Sequence, residues 1–149
     1  MNISIIVYSE TKNTFSVAQK LKTTFEEKGD TVKLIELLVH DTKRNKKLVS
    51  IPTVPPCDVL ILATPVQGFS AALPMKEFLK KSTIPSKQKV FLVITQYFKK
   101  SWLGGNQALK QMKKLLLPVD ANVEREVDIH WSSKNRDNQI EEAITQLSV

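Results

Sequence analysis

The stretch Asp58-Val59-Leu60-Ile61-Leu62-Ala63 decides the fold class. An acid opens it, an unbroken apolar run follows, and Thr64-Pro65 closes it. A strand with one wet face alternates apolar and polar side chains. This run does not alternate, so both of its faces must be covered. Lys89 to Thr95, with Val90-Phe91-Leu92-Val93-Ile94 at its centre, repeats the pattern. Ile3 to Tyr8 gives a third such run, interrupted only by Ser4. Thr31 to Leu37 is different: Val32 and Leu34 alternate with Lys33 and Glu36, the mark of a more exposed strand. Asn122 to Trp131 reads as the last strand.

A second period lies between these runs. Phe15, Ala18, Leu21 and Phe25 recur at steps of three and four, one apolar stripe of a helix that stops at Lys28-Gly29-Asp30. Leu73 to Lys81 is helical, with Pro74 tolerated in the first turn and Met75, Phe78 and Leu79 facing inward. Asn106 to Leu117 forms a helix through Leu109, Met112 and Leu116 and ends before Pro118. Asn135 to Leu147 closes the chain through Ile140, Ile144 and Leu147. Residues 38–57 are the least regular part. A connecting helix is expected over about 41–50, ahead of Pro52, Pro55 and Pro56. Thr64–Ala72 and Gln96–Gly105 read as loops. Alternating strands and helices with such apolar central strands predict an α/β protein, a parallel sheet covered on both faces, built as one domain over 1–149.

The chain has 149 residues, 42% hydrophobic, enough to bury a core without a disulfide or metal staple. Its one cysteine, Cys57, excludes a disulfide scaffold. No apolar run approaches the ~18 residues of a membrane span, and the opening MNISIIVYSE reads as a strand rather than a signal peptide. A cytoplasmic protein with no membrane association is expected. Lysine and arginine number 22 and acids 15, a net charge of +7. The lysines are spread in pairs, no nucleic-acid-binding pattern accompanies them, and they read as a solvated surface rather than a nucleic-acid site.

Ligands of open parallel sheets bind beyond the carboxyl ends of the strands. Three loops matter. Ser9-Glu10-Thr11-Lys12-Asn13-Thr14 joins a strand to a helix N-terminus, where unpaired N–H groups and partial positive charge suit a phosphate. Its hydroxyls, amide and Lys12 can all donate; ordinary helix capping is the plainer use of the same residues. The sequence has neither a GxxxxGK[ST] nor a GxGxxG motif, which disfavours a P-loop nucleotidase or a dinucleotide fold. The second loop, Thr64-Pro65-Val66-Gln67-Gly68-Phe69, is uncharged. The third, Gln96 to Gly105, holds Tyr97, Phe98 and Trp102, the cations Lys99 and Lys100, and Gly104-Gly105. Planar side chains and small residues beside a phosphate seat suit a flat aromatic ligand with a phosphate tail.

Together these stretches resemble the flavodoxin family. Ile6-Val7-Tyr8-Ser9-Glu10-Thr11-Lys12-Asn13-Thr14 followed by Val17-Ala18 is similar to its short YSxTGNT phosphate loop. Asp58 to Val66 with Leu73-Pro74-Met75-Lys76-Glu77-Phe78 resembles its second segment, and Val93-Ile94-Thr95-Gln96 with Gly104-Gly105-Asn106 its third. The resemblance covers nearly the whole chain in register. It implies a three-layer α/β/α flavodoxin-like fold with a five-stranded parallel sheet in the order 2-1-3-4-5, and noncovalent FMN. It further implies electron transfer with a redox partner protein or a small-molecule acceptor. The phosphate would be held by Ser9, Thr11, Asn13 and Thr14, and the ring system would lie between Thr64–Phe69 and Gln96–Trp102. Backbone at Pro65 to Gly68 would read the ring edge, and Phe69, Tyr97, Phe98 or Trp102 would stack. Lys99 and Lys100 would favour the reduced, anionic flavin.

Two departures stand out. Lys12 replaces the family's glycine, which costs energy if φ is positive there. The protein is also basic where electron-carrying flavodoxins are acidic, so its partner should differ from theirs. One alternative is an FMN-dependent reductase of quinones or other small acceptors. Another is a flavodoxin-like domain without FMN that acts as a binding module. His40 and His130 lie at no metal-ligand spacing, and His130 and Cys57 read as structural residues.

Overall fold

The computed structural model describes residues 1–40, 46–97, 104–131, 134 and 136–147. The elements are β1 (Asn2–Val7), α1 (Asn13–Glu27), β2 (Thr31–Glu36), β3 (Val59–Gln67), β4 (Ser70–Ala71), α2 (Leu73–Lys81), β5 (Lys89–Gln96), α3 (Gly105–Leu116), β6 (Asn122–His130) and α4 (Arg136–Leu147). Five parallel strands run in the order β2-β1-β3-β5-β6. Numbered without the short antiparallel β4, this is the expected order 2-1-3-4-5.

The alternation of side chains across each strand builds two cores. On one face Ile6, Leu60, Leu62, Val90, Leu92 and Ile94 meet Met75 and Phe78 of α2 and Ala108 and Met112 of α3. On the other, Ile5, Val7, Ile61, Ala63 and Val93 meet Val17, Ala18, Leu21 and Phe25 of α1 and Ile140 and Ile144 of α4. Phe78, Leu60, Ile61 and Leu62 are fully buried. Each such side chain contributes about 1.5–3 kcal/mol on leaving water, which is why strands without polar alternation end up in the middle of the sheet.

Two expectations need correction. Residues 46–50 are not helical: Val39 and Leu48 form an isolated antiparallel bridge, and the Leu48 N–H donates to Glu77 Oε1 of α2 at 2.7 Å. The three nearby prolines favour extended chain, and the bridge gives its polar groups partners. Residues 41–45 lie outside the described residues. Thr64–Ala72 is not simply a loop either. β3 continues to Gln67 and folds back on β4, pairing Val66 with Ala71 and Gln67 with Ser70. The turn residues Gly68 and Phe69 have φ of 57° and 62°. Positive φ at both central positions marks a primed hairpin turn, and a phenylalanine there conceals it from composition.

Candidate functional site

β1, β3 and β5 end together, and a cleft of about 280 Å³ opens beyond them. Glu10, Thr11 and Asn13 line it from the loop before α1, Pro65, Val66 and Gln67 from the end of β3, Thr95, Gln96 and Tyr97 from β5, and Trp131 from beyond β6. Of the residues expected at the site, Thr11, Asn13, Pro65, Val66, Gln67, Gln96 and Tyr97 are therefore brought together. Glu10, Thr95 and Trp131 were not expected. Phe98 and Trp102, like Lys99 and Lys100, lie outside the described residues.

The loop entering α1 has the backbone of an anion seat. Lys12 is the N-cap at φ 68°, ψ 2°, and its carbonyl accepts the first helical bond from Ser16 at 2.9 Å. Among the described residues, the backbone N–H groups from Glu10 to Thr14 meet no protein acceptor. A run of such donors around one left-handed residue at a helix start forms an anion-binding concavity.

The side chains behave less uniformly. Ser9 is buried, and its Oγ accepts the Phe15 N–H at 3.2 Å, which caps the third helical residue. Thr14 is 1% exposed, and its Oγ1 lies 2.8 Å from Thr95 Oγ1. That contact ties α1 to the carboxyl end of β5 below the cleft. Lys12 Nζ lies 2.6 Å from Glu36 Oε1 at the end of β2 and 5.2 Å from the Phe15 ring centroid. The positive φ expected to strain a lysine is present, and the ammonium is engaged by Glu36. Thr11 and Asn13 are the two loop side chains on the cleft itself.

A polar strap crosses one wall. Glu10 Oε1 pairs with Lys46 at 2.6 Å, and Glu10 Oε2 accepts the Gln67 amide at 2.5 Å. Tyr8, 3% exposed at the end of β1, sits beneath. Burial pushes its phenol up, against the opposing pull of the Lys46 ammonium and a hydrogen bond with Gln67. The strap fixes the Gln67 side chain and neutralises the one carboxylate among the described lining residues. No lysine or arginine is among them.

Behind the far wall, Gln96 meets two polar side chains of β6. His130 Nε2 lies 3.5 Å from Asp128 Oδ2, and His130 Nδ1 lies 3.3 Å from Gln96 Nε2. Asp128 and His130 are two positions apart on β6 and so share a face, a spacing that was available in the sequence. Gly105 explains how they fit. A Cβ there would collide with Asp128 Oδ2 and Gln96 Oε1. The Asp128 carboxylate thus abuts the first residue of α3, at the positive end of the helix dipole. Gly104, at φ 125°, faces Val66, whose Cγ1 would stand 2.6 Å from an added Cβ. The close approach at Gly104 and Gly105 is made by the protein's own atoms, which lock the second loop against the third.

Thr64 is fully buried, and its hydroxyl reaches the Pro65 carbonyl at 3.2 Å. Gly68 and Phe69 form the hairpin tip, with Phe69 57% exposed. Tyr97 is 71% exposed at the rim of the cleft. Among the described residues no cluster of three or more His, Cys, Asp or Glu could hold a metal ion, and no helix is long and apolar enough to cross a membrane.

No protein-family model matches the chain, and no curated protein matches it by sequence. Solved structures do. A flavodoxin, WrbA-like protein from Agrobacterium tumefaciens superposes with a TM-score of 0.73 at 14% identity, over 99% of this chain and 92% of that one. A flavodoxin from the domain Archaea gives 0.69 at 15% identity, over 99% and 94%. Flavodoxin 1 from Bacillus cereus gives 0.69 at 14% identity, over 98% and 94%. At these identities the likeness speaks for architecture, and in architecture the chain is a flavodoxin-like α/β protein from its first strand to its last helix.

Proposed function

We propose that the cleft binds FMN and that the protein is an electron-transfer flavoprotein. The observation that supports it best is the run of unpaired N–H groups from Glu10 to Thr14 at the start of α1, bordering a cleft where β1, β3 and β5 end. An FMN phosphate suits this donor set. Backbone amides and the Thr11 and Asn13 side chains would hold it, with the partial charge of α1 in place of a cation. The ring system suits the space between the β3 end at Pro65–Gln67 and the β5 end at Gln96–Tyr97. Its volume sits at the lower edge of ligand clefts, typically ~300–1,000 Å³, as expected for one open to solvent beside Tyr97.

Bound FMN would accept and donate one or two electrons, and the protein would supply orientation and electrostatics. The strap fixes Gln67, which would border the ring system of a bound flavin. The Thr14–Thr95 bond and the glycine contacts hold the loop walls at a set separation. The sequence-level alternatives make different demands. A reductase of quinones would need room for a small acceptor over the flavin. A binding module without FMN would make no use of the N–H run.

A visible absorption spectrum, recorded before and after adding FMN and desalting, tests the proposal. Retained, shifted flavin bands with quenched fluorescence are expected. A chain that stays colourless through desalting overturns the reading. Steady NAD(P)H oxidation by the isolated yellow protein with a quinone acceptor would replace carrier with reductase.

A further inference from the structure

The charge of +7 is not spent on the cleft, whose described lining contains no lysine or arginine. Part of it lies beside the cleft. A groove of about 470 Å³ runs between residues 46–47 and α2, and among the described residues five lysines line it against a single glutamate. Lys76 and Lys80 are one helical turn apart on α2, and Lys46 and Lys47 face them across the groove. The glutamate, Glu77, is already committed to the Leu48 N–H and to Lys81, both at 2.7–2.8 Å. No carboxylate among the described residues lies within ion-pair range of Lys80. Lysines in the last turn of α2 also favour its dipole, but that accounts for Lys80 and Lys81 only.

The groove is not purely polar. Leu73 lines it at 63% exposure, and Val49, 56% exposed, follows the Leu48 that is tied to α2. Aliphatic side chains amid cations are the composition of a protein interface. A nucleic-acid groove would use arginine forks or stacking aromatics, and the described lining contains neither. The groove also touches the cleft, because Lys46 lines the first while its ammonium pairs with Glu10, which lines the second.

We propose that this groove is the docking surface for an acidic protein partner, whose carboxylates meet Lys76 and Lys80 around an apolar contact on Leu73, and which thereby sits at the mouth of the cleft. Flavin is not required for this docking, so its test is independent of the cofactor proposal.

The test is fluorescence anisotropy with the full chain and a labelled amphipathic helical peptide of about 18 residues, rich in glutamate on one face and leucine on the other. Binding is expected, weakened by salt. Lys76→Glu with Lys80→Glu should weaken it at least about tenfold. Lys20→Glu with Lys28→Glu, the same charge change at α1 across the sheet, should weaken it less than about threefold, as a long-range screened effect. Lys76→Gln with Lys80→Gln, checked by circular dichroism for an unchanged fold, should give an intermediate loss. Equal losses from the two glutamate pairs would reduce the effect to net charge and overturn the proposal. So would no binding of the peptide, or tighter binding of a thymidine oligonucleotide of equal charge through the same lysines.

Discussion

Lys12 is where backbone strain, surface electrostatics and cofactor binding can be separated by one position. Its φ of 68° places a non-glycine residue in the left-handed region, at a cost of about 1–2 kcal/mol. Its contacts offset part of that. The Lys12–Glu36 pair has side chains 64% and 25% exposed, so it contributes about 0.2–1 kcal/mol. The Phe15 ring at 5.2 Å adds about 0.5 kcal/mol at so exposed a site. Lys12→Ala keeps the strain and loses both contacts, so it should destabilise by about 1 kcal/mol. Lys12→Gly loses the same contacts and releases the strain, but it loosens the unfolded chain by about 0.5–1 kcal/mol. It should come within about 0.5 kcal/mol of the native chain and be more stable than the alanine variant. Inside a helix the order is reversed, with alanine ahead of glycine by about 1 kcal/mol. Urea unfolding followed by circular dichroism, at constant slope, reads the order directly. An alanine variant as stable as the glycine variant would refute the strain argument. The same pair reports on the cofactor. With its ammonium held by Glu36, Lys12→Gly should change FMN affinity, measured by fluorescence quenching, less than about threefold. A tenfold loss, about 1.4 kcal/mol, would place the ammonium on the phosphate instead.

Three further outcomes follow from the site. Gly105→Ala drives a methyl group into Asp128 and Gln96; it should cost about 1–3 kcal/mol in urea unfolding, and weaken FMN binding by displacing Gln96 from the cleft wall. Thr14→Val leaves the buried Thr95 hydroxyl without its 2.8 Å partner, a loss of about 1–3 kcal/mol, whereas Thr14→Val with Thr95→Val should be nearly neutral; additive single losses in the double-mutant cycle would show that the hydroxyls do not interact. The Leu48 N–H, and next the Lys81 ammonium, hold the Glu77 carboxyl below its usual range. Its contribution is therefore complete above the ordinary glutamate value of about 4.3 and is lost as pH falls through the lower folded value. Glu77→Gln should destabilise by about 1 kcal/mol at neutral pH, mostly through the Leu48 bond because Lys81 is exposed and screened. The gap between native and variant should narrow as pH falls below the ordinary glutamate range; a gap that stays constant through the acid titration contradicts the assignment.

The order of strands and helices was legible because the central strands are apolar on both faces, which only a covered parallel sheet satisfies. The continuation of β3 to Gln67 was not. Pro65 and Gly68 look like loop residues, and nothing in the type of Phe69 announces a positive φ at a hairpin tip. The Thr14–Thr95 contact was foreshadowed by the helical period. Thr14 stands four residues before Ala18 and seven before Leu21, on the same helical stripe, so its hydroxyl faces the sheet. Asp128 and His130 could also have been paired, since two residues apart on a strand means one face.

Lys46 is the opposite case. It comes from the irregular connection after β2 and reaches Glu10, 36 residues earlier, through contacts that no local period encodes. That contact matters for the proposed chemistry, because a carboxylate lining a phosphate seat would repel the ligand the seat is built for. Pairing Glu10 with Lys46 removes most of that repulsion, and the hydrogen bond from Gln67 turns the same carboxylate into a structural acceptor for the wall beside the flavin position. The basic excess thus does two jobs at different distances. One lysine neutralises the single acid on the described cleft wall, and its neighbours along the groove give an acidic partner a place to stand next to it.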